Sequence, residues 1–120
     1  MRTCLVIDDS RVVRKVAARL LEELGFETAE AEDGLQALAW CRTELPEAIL
    51  LDWNMPVMSG IDFLRDLRGL PGGADPVVVM CTVRNERVDI EEALAAGADE
   101  YVMKPFDGEI LALKLAAAGL

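Results

Sequence analysis

At 120 residues and 52% hydrophobic content, the chain has the size of one domain that can bury its own core. Its 12 basic and 22 acidic residues leave a formal charge of −10, which repels nucleic-acid phosphates and anionic lipid and attracts divalent cations or a basic partner patch. With three cysteines, no CxxC pair and no histidine, zinc lacks suitably spaced ligands; Cys4, Cys41 and Cys81 are expected to be small buried hydrophobes in a reducing cytoplasm. The first residues lack the basic-then-apolar pattern of a signal peptide, and no apolar run approaches membrane-spanning length. A cytoplasmic location without membrane insertion is therefore expected.

Strand-like and helix-like segments alternate from the start. Residues 4–7 form a short unbroken apolar run, the mark of a buried strand. Ser10 caps a helix in which Val12, Val13, Val16, Leu20, Leu21 and Leu24 recur at helical spacing, ended by Gly25. Residues 27–31 are polar and mildly alternating, as on a sheet edge. Asp33 and Gly34 open a second helix with Leu35, Leu38 and Ala39 on one face, and Pro46 closes the loop after it. Residues 48–51 read as a third strand, and 55–58 as a loop. Ser59 to Asp62 has the capping-box pattern of a third helix. The glycine- and proline-rich stretch 69–76 lacks a following Lys-Ser/Thr and leads into a strand, so it reads as a connector rather than a phosphate loop. Residues 77–80 form a β-branched fourth strand. A helix over about 86–96 stops at Gly97, a fifth strand runs to Met103, and Asp107 caps a last helix carrying Ile110, Leu111 and residues 113–115. Five such βα units predict one α/β domain over 1–120, a parallel sheet covered by helices on both faces.

Ligands of such sheets bind at the carboxyl ends of the strands. Asp8 and Asp9, Asp52, Thr82 and Lys104 all fall at such ends. Three clustered carboxylates repel one another, and a fold tolerates them through protonation, a divalent cation or the one ammonium of Lys104. A hard, all-oxygen site with few protein ligands suits Mg²⁺. Asp52 then has the character of a carboxylate nucleophile for a phosphoryl group, with Lys104 supplying charge and Thr82 a hydroxyl donor. Each signal alone has an ordinary explanation: Asp-Asp-Ser as a helix cap, an Asp after a strand as a turn, Lys-Pro as a solvated turn. Their coincidence on one sheet edge departs from those readings.

The combination resembles the receiver domain of bacterial response regulators, and among these the single-domain chemotaxis-type members. The residues that carry the resemblance are Ile7 to Ser10, Leu51 to Gly60, Thr82 and Gly97 to Phe106. It spans essentially the whole chain. It implies a flavodoxin-like (βα)5 fold with strand order 2-1-3-4-5. It implies Asp52 as phosphoacceptor, Asp9 as a direct Mg²⁺ ligand, Asp8 as a ligand through water, and the Asn54 backbone carbonyl as a further ligand. Thr82 and Tyr101 would be the switch pair, Tyr101 turning from solvent to buried, and Lys104 the phosphoryl-binding cation, followed by a cis Lys104-Pro105 bond. The donor would be a phosphohistidine on a histidine kinase or a histidine phosphotransfer protein. The output would be an altered affinity of the face made by the fourth helix, fifth strand and last helix for a downstream protein, from a monomer or weak dimer with no output domain of its own.

Two departures stand out. Val83 occupies a position usually held by a very small residue, where its branched side chain would narrow access to Asp52. Arg84, with Asn54, occupies a position that modulates phosphoryl lifetime in relatives, and is expected to lie over the site and restrict attacking water. Trp53, beside Asp52, should report on Mg²⁺ and phosphoryl binding, whereas Trp40 should be structural and partly exposed. Two other functions compete. A Mg²⁺-dependent phosphohydrolase would also use a strand-end Asp, but usually carries a second Asp where Asn54 stands. A non-phosphorylated interaction module would have no use for an intact Asp8, Asp9, Asp52, Thr82 and Lys104.

Overall fold

A computed structural model describes residues 2–120. Its elements are β1 (Thr3–Ile7), α1 (Arg11–Glu23), β2 (Glu27–Ala31), α2 (Gly34–Thr43), β3 (Ala48–Asp52), α3 (Gly60–Arg68), β4 (Val77–Thr82), α4 (Arg87–Ala96), β5 (Glu100–Met103) and α5 (Gly108–Ala117). All strand pairs are parallel, in the order β2-β1-β3-β4-β5, as expected. The polar segment 27–31 is indeed an edge strand. β3 and β4 extend past their apolar runs because the ladder pairs backbone regardless of side chain: Asp52 lies opposite Cys81, and Thr82 opposite Met103. That extension sets the functional residues at the sheet's rim.

The twofold alternation of strand side chains divides the core. Cys4, Val6, Leu50, Val79, Cys81 and Val102 face one side and pack under α1 and α5 through Ala17, Leu21, Leu111 and Leu115. Leu5, Ile7, Ile49, Leu51, Val78, Met80 and Tyr101 face the other, against Leu38, Phe63, Leu64, Leu67 and Ala93 of α2, α3 and α4. Truncating a fully buried ring such as Phe63 to alanine costs about 3–5 kcal/mol in cores of this kind. All three cysteines are free and buried. Burial pushes the Cys81 thiol up to about 12, so beside Asp52 it is an unreactive packing group.

Two helices sit rotated from their expected faces. α1 buries Ala17, Ala18 and Leu21 and leaves Val12 and Val16 exposed. Small alanines let the helix approach the sheet closely, and the valines move to its flank. α2 likewise buries Ala37, Leu38 and Cys41, while Leu35 and Ala39 face solvent. At α5, Leu111 and Leu115 are buried but Ile110 and Leu113 are exposed. Ser10, Asp33, Ser59 and Asp107 accept the first-turn N–H groups expected of N-caps. Asp62 pairs with Arg65, one turn on, across an exposed helix face. Gly97 ends α4 in the left-handed region, as a C-terminal glycine should. Among the described residues no helix is long and apolar enough to cross a membrane.

Candidate functional site

The strands deliver three carboxylates to one rim. Asp8 follows β1, Asp9 the next residue, and Asp52 ends β3; one carboxylate oxygen from each lies within 4.8 Å of the others. Asp8 and Asp52 are buried, Asp9 exposed. Lys104, after β5, reaches across with its Nζ 2.8 Å from Asp8 Oδ2 and 3.1 Å from Asp52 Oδ1. Its backbone N–H donates to the Thr82 carbonyl, and its peptide bond to Pro105 is cis, as the family resemblance implied.

Asp8 is held at every polar atom. Its Oδ1 accepts from the Ser10 N–H at 2.9 Å, its Oδ2 from Lys104, its carbonyl from Arg14 Nη1 at 2.7 Å, and its N–H donates to Ala31. By contrast, Asp9 and the Oδ2 of Asp52 have no hydrogen-bond partner among the described residues, which leaves them open to an ion. Their chemistry fits Mg²⁺: hard anionic oxygens, converging, with room on the exposed Asp9 side for water.

Burial raises Asp52 above the ordinary carboxylate range; the Lys104 hydrogen bond opposes this and the Asp8 charge adds to it. Burial alone would lower the Lys104 ammonium, but Asp8 and Asp52 more than reverse that and hold it above the ordinary lysine value. Lys104 therefore stays charged near neutrality, beside a desolvated Asp52 carboxyl group whose Oδ2 has no hydrogen-bond partner among the described residues.

α3 must come close for this rim to form. A Cβ on Gly60 would lie 2.2 Å from the Asp52 carbonyl oxygen, and the Gly60 N–H donates to the Trp53 carbonyl at 2.8 Å. No other residue permits that approach.

Thr82 is buried at the end of β4, its Oγ1 accepting from the Arg84 N–H at 3.2 Å. Tyr101 already lies inward, 7% exposed, and its hydroxyl donates to the Arg84 carbonyl at 2.6 Å. Burial raises its phenol above the usual range. Arg84 packs on the loop after Asp52 rather than on Asp52 itself: its guanidinium carbon stands 4.5 Å above the Trp53 ring, and Nη2 donates to Asn54 Oδ1 at 3.0 Å. Trp53 is buried beneath it, and Trp40 is half-buried against the core. Val83 points outward, 66% exposed, and lines an apolar groove of about 360 Å³ with Val12, Val13, Val16, Phe106 and the stem of Lys104.

Sequence reasoning missed Arg14 and the Ser10 backbone as anchors of Asp8. In the sequence Arg14 is one of several charged residues between the apolar positions of α1. Its position one turn past the Ser10 cap was the available signal, and Glu30 on β2 completes its pairing at 3.1 Å. The stack of Arg84 on Trp53 had no sequence signal, since it joins two loops.

Residues 4–116 match the family described as the response regulator receiver domain. The chain is 40% identical over 112 residues to the chemotaxis protein CheY of Pseudomonas aeruginosa, covering 92% of this chain and 90% of that one. It is 38% identical over 116 residues to the phosphate regulon transcriptional regulatory protein PhoB of Escherichia coli, covering 97% of this chain and 51% of that one, so it spans about half of PhoB. The high-resolution structure of chemotaxis response regulator CheY4 of Vibrio cholerae superposes with a TM-score of 0.92 at 31% identity, over 98% of both chains.

Proposed function

Because this chain belongs to the response regulator receiver domain family and is a phosphorylation-dependent switch of two-component signalling, we propose that Asp52 is its phosphoacceptor and that Asp9, Asp52 and Asp8 hold Mg²⁺ beside it. The observation that carries this reading is the convergence of Asp8, Asp9, Asp52 and Lys104 at one rim, with Asp9 and Asp52 Oδ2 uncommitted among the described residues and Asp8 fully hydrogen-bonded. That division favours Asp9 and Asp52 as direct ligands and Asp8 as a ligand through water, with the Asn54 backbone carbonyl completing the protein set. The ion supplies charge neutralisation when bound.

The chain's own residues do the rest. Asp52 Oδ2 attacks phosphorus as the bond from phosphorus to the donor's imidazole nitrogen breaks, and the imidazole leaves with the partner. Lys104 offsets charge on the transferred group, and the Thr82 hydroxyl, free to rotate, donates to it. Thr82 and Tyr101 meet through Arg84, one at its N–H and the other at its carbonyl, so a displacement at Thr82 is felt at Tyr101 and at the face of α4, β5 and α5. Arg84 and Asn54 set the lifetime of the acyl phosphate.

The donor is a histidine kinase or histidine phosphotransfer protein, since the chain holds no histidine. The output partner is a downstream protein that binds the α4-β5-α5 face. The only chemistry catalysed is the chain's own phosphoryl transfer and the hydrolysis of the resulting acyl phosphate to inorganic phosphate and free carboxylate, in the cytoplasm, in a single unit spanning 1–120.

The test is a pull-down from soluble extract with wild type and Asp52→Ala, each with and without a small acyl-phosphate donor and Mg²⁺. Donor-dependent capture by wild type alone supports the switch. Equal capture by both proteins under all conditions contradicts it.

A further inference from the structure

We infer that Asp89, on α4 and outside the acidic rim, is a positioning residue that lengthens the life of the phosphoryl group on Asp52 by holding Arg84 in place. This rests on Asp52 being the phosphoacceptor. Arg84 is gripped from four directions. Nη2 donates to Asn54 Oδ1 at 3.0 Å, the guanidinium stacks on Trp53 at 4.5 Å, and the backbone is tied to Thr82 and Tyr101. The remaining grip is Asp89 Oδ1, 3.5 Å from Nη1, the single ionic partner of this arginine among the described residues.

The grip is under tension, because Arg84 Nε is shut away from water with no acceptor among the described residues. A guanidinium N–H in that condition loses hydration that it would regain by swinging outward. Asn54, Trp53 and Asp89 together offset that loss, and the side chain is 40% exposed, so the way out is open. Without the Asp89 charge the balance moves toward the outward position.

Release of Arg84 matters through Asn54. With Nη2 in place, the Asn54 amide oxygen is occupied. Once freed, that oxygen is an acceptor two residues from Asp52, able to orient a water toward the acyl phosphate. In the hydrolysis that follows, the water oxygen bonds to phosphorus while the bond between phosphorus and the Asp52 carboxylate oxygen breaks. Inorganic phosphate leaves, the carboxylate is regenerated, and the proton from water passes to phosphate or solvent. Asp89 touches none of these atoms and acts only through Arg84. Anything on the α4 surface that draws the Asp89 carboxylate away would shorten the phosphorylated state by the same route.

The experiment labels wild type, Asp89→Asn, Asp89→Glu, Arg84→Ala and the Arg84→Ala/Asp89→Asn double variant with a small acyl-phosphate donor in Mg²⁺. The donor is then removed and loss of the phosphoryl group followed by intact-mass spectrometry. Asp89→Asn should decay about two- to fivefold faster than wild type, the range set by a partly exposed ion pair. Asp89→Glu should recover most of the lifetime, and the double variant should decay as Arg84→Ala alone. Trp53 emission of unlabelled Asp89→Asn should move toward that of Arg84→Ala, a change that general loosening of α4 would not produce. An unchanged Asp89→Asn half-life, or an Asp89→Asn acceleration that persists in the Arg84→Ala background, overturns the inference while leaving the phosphoacceptor intact. A wild type that takes no label on Asp52 overturns both.

Discussion

Asp9→Asn should make the fold more stable and the site useless. Its carboxylate lies within 4.8 Å of Asp8 and Asp52 oxygens, and at an effective dielectric of about 20 each like-charge pair repels by at least about 3.5 kcal/mol. Lys104, at 2.8 and 3.1 Å from Asp8 and Asp52, returns about 5–6 kcal/mol with each. The rim is thus close to neutral balance as a whole, but Asp9 contributes repulsion with no hydrogen bond of its own among the described residues. It is exposed, so water and salt screen most of the gross figure, leaving a net gain of about 1–2 kcal/mol on neutralising it. Urea denaturation in EDTA should show this as a midpoint shift of roughly 1 M, given slopes of about 1–3 kcal/mol/M. Adding Mg²⁺ at ten times its dissociation constant should stabilise wild type by about 1.4 kcal/mol and Asp9→Asn hardly at all, so the order of stability narrows or inverts. A variant less stable than wild type in EDTA, or one that keeps the full Mg²⁺ stabilisation, would refute the electrostatic reasoning.

Three further outcomes follow from the same structure. Trp53→Phe should abolish the fluorescence response to Mg²⁺ and to a phosphoryl mimic, while Trp40→Phe keeps it; a retained signal in Trp53→Phe would show that another group reports. Arg68→Ala should lose about 3 kcal/mol of stability by calorimetry or urea melts, because its guanidinium serves the carbonyls of Gly73, Pro76 and Gly97 and the Asp99 carboxylate, and buried acceptors left alone cost about 1–3 kcal/mol each; a loss below 1 kcal/mol would contradict that account. Burial holds Asp52 above the ordinary carboxylate range, so the folded chain keeps that proton to higher pH than the unfolded one. Its contribution to stability therefore falls as pH rises through that window, and the stability of Asp52→Asn relative to wild type in EDTA should grow from acid toward neutral pH. A difference that stays flat across that range would sink the burial argument.

The order of elements was legible because each strand carried its own apolar run and each helix its cap; Ser10, Asp33, Ser59 and Asp107 all cap as read. The rim residues were legible because they sit where polar character abruptly follows a strand. Helix rotation was not. Valines and leucines at helical spacing pointed to one face of α1, yet how closely a helix can approach a sheet is decided by its small residues, and Ala17 and Ala18 won. Cross-loop contacts were illegible for a different reason. Nothing local links Arg84 to Trp53, to Asn54 or to Tyr101; these meet because β3, β4 and β5 are neighbours in the sheet.

The central claim is that one carboxylate, Asp52, takes the phosphoryl group. Incubating the chain with Mg²⁺ and a small acyl-phosphate donor, then mapping the modified peptide by tandem mass spectrometry, tests it directly. The expected result is a single added phosphoryl group on Asp52 that disappears in EDTA and in Asp52→Ala. An unchanged mass, or the group found on any other residue, would contradict it.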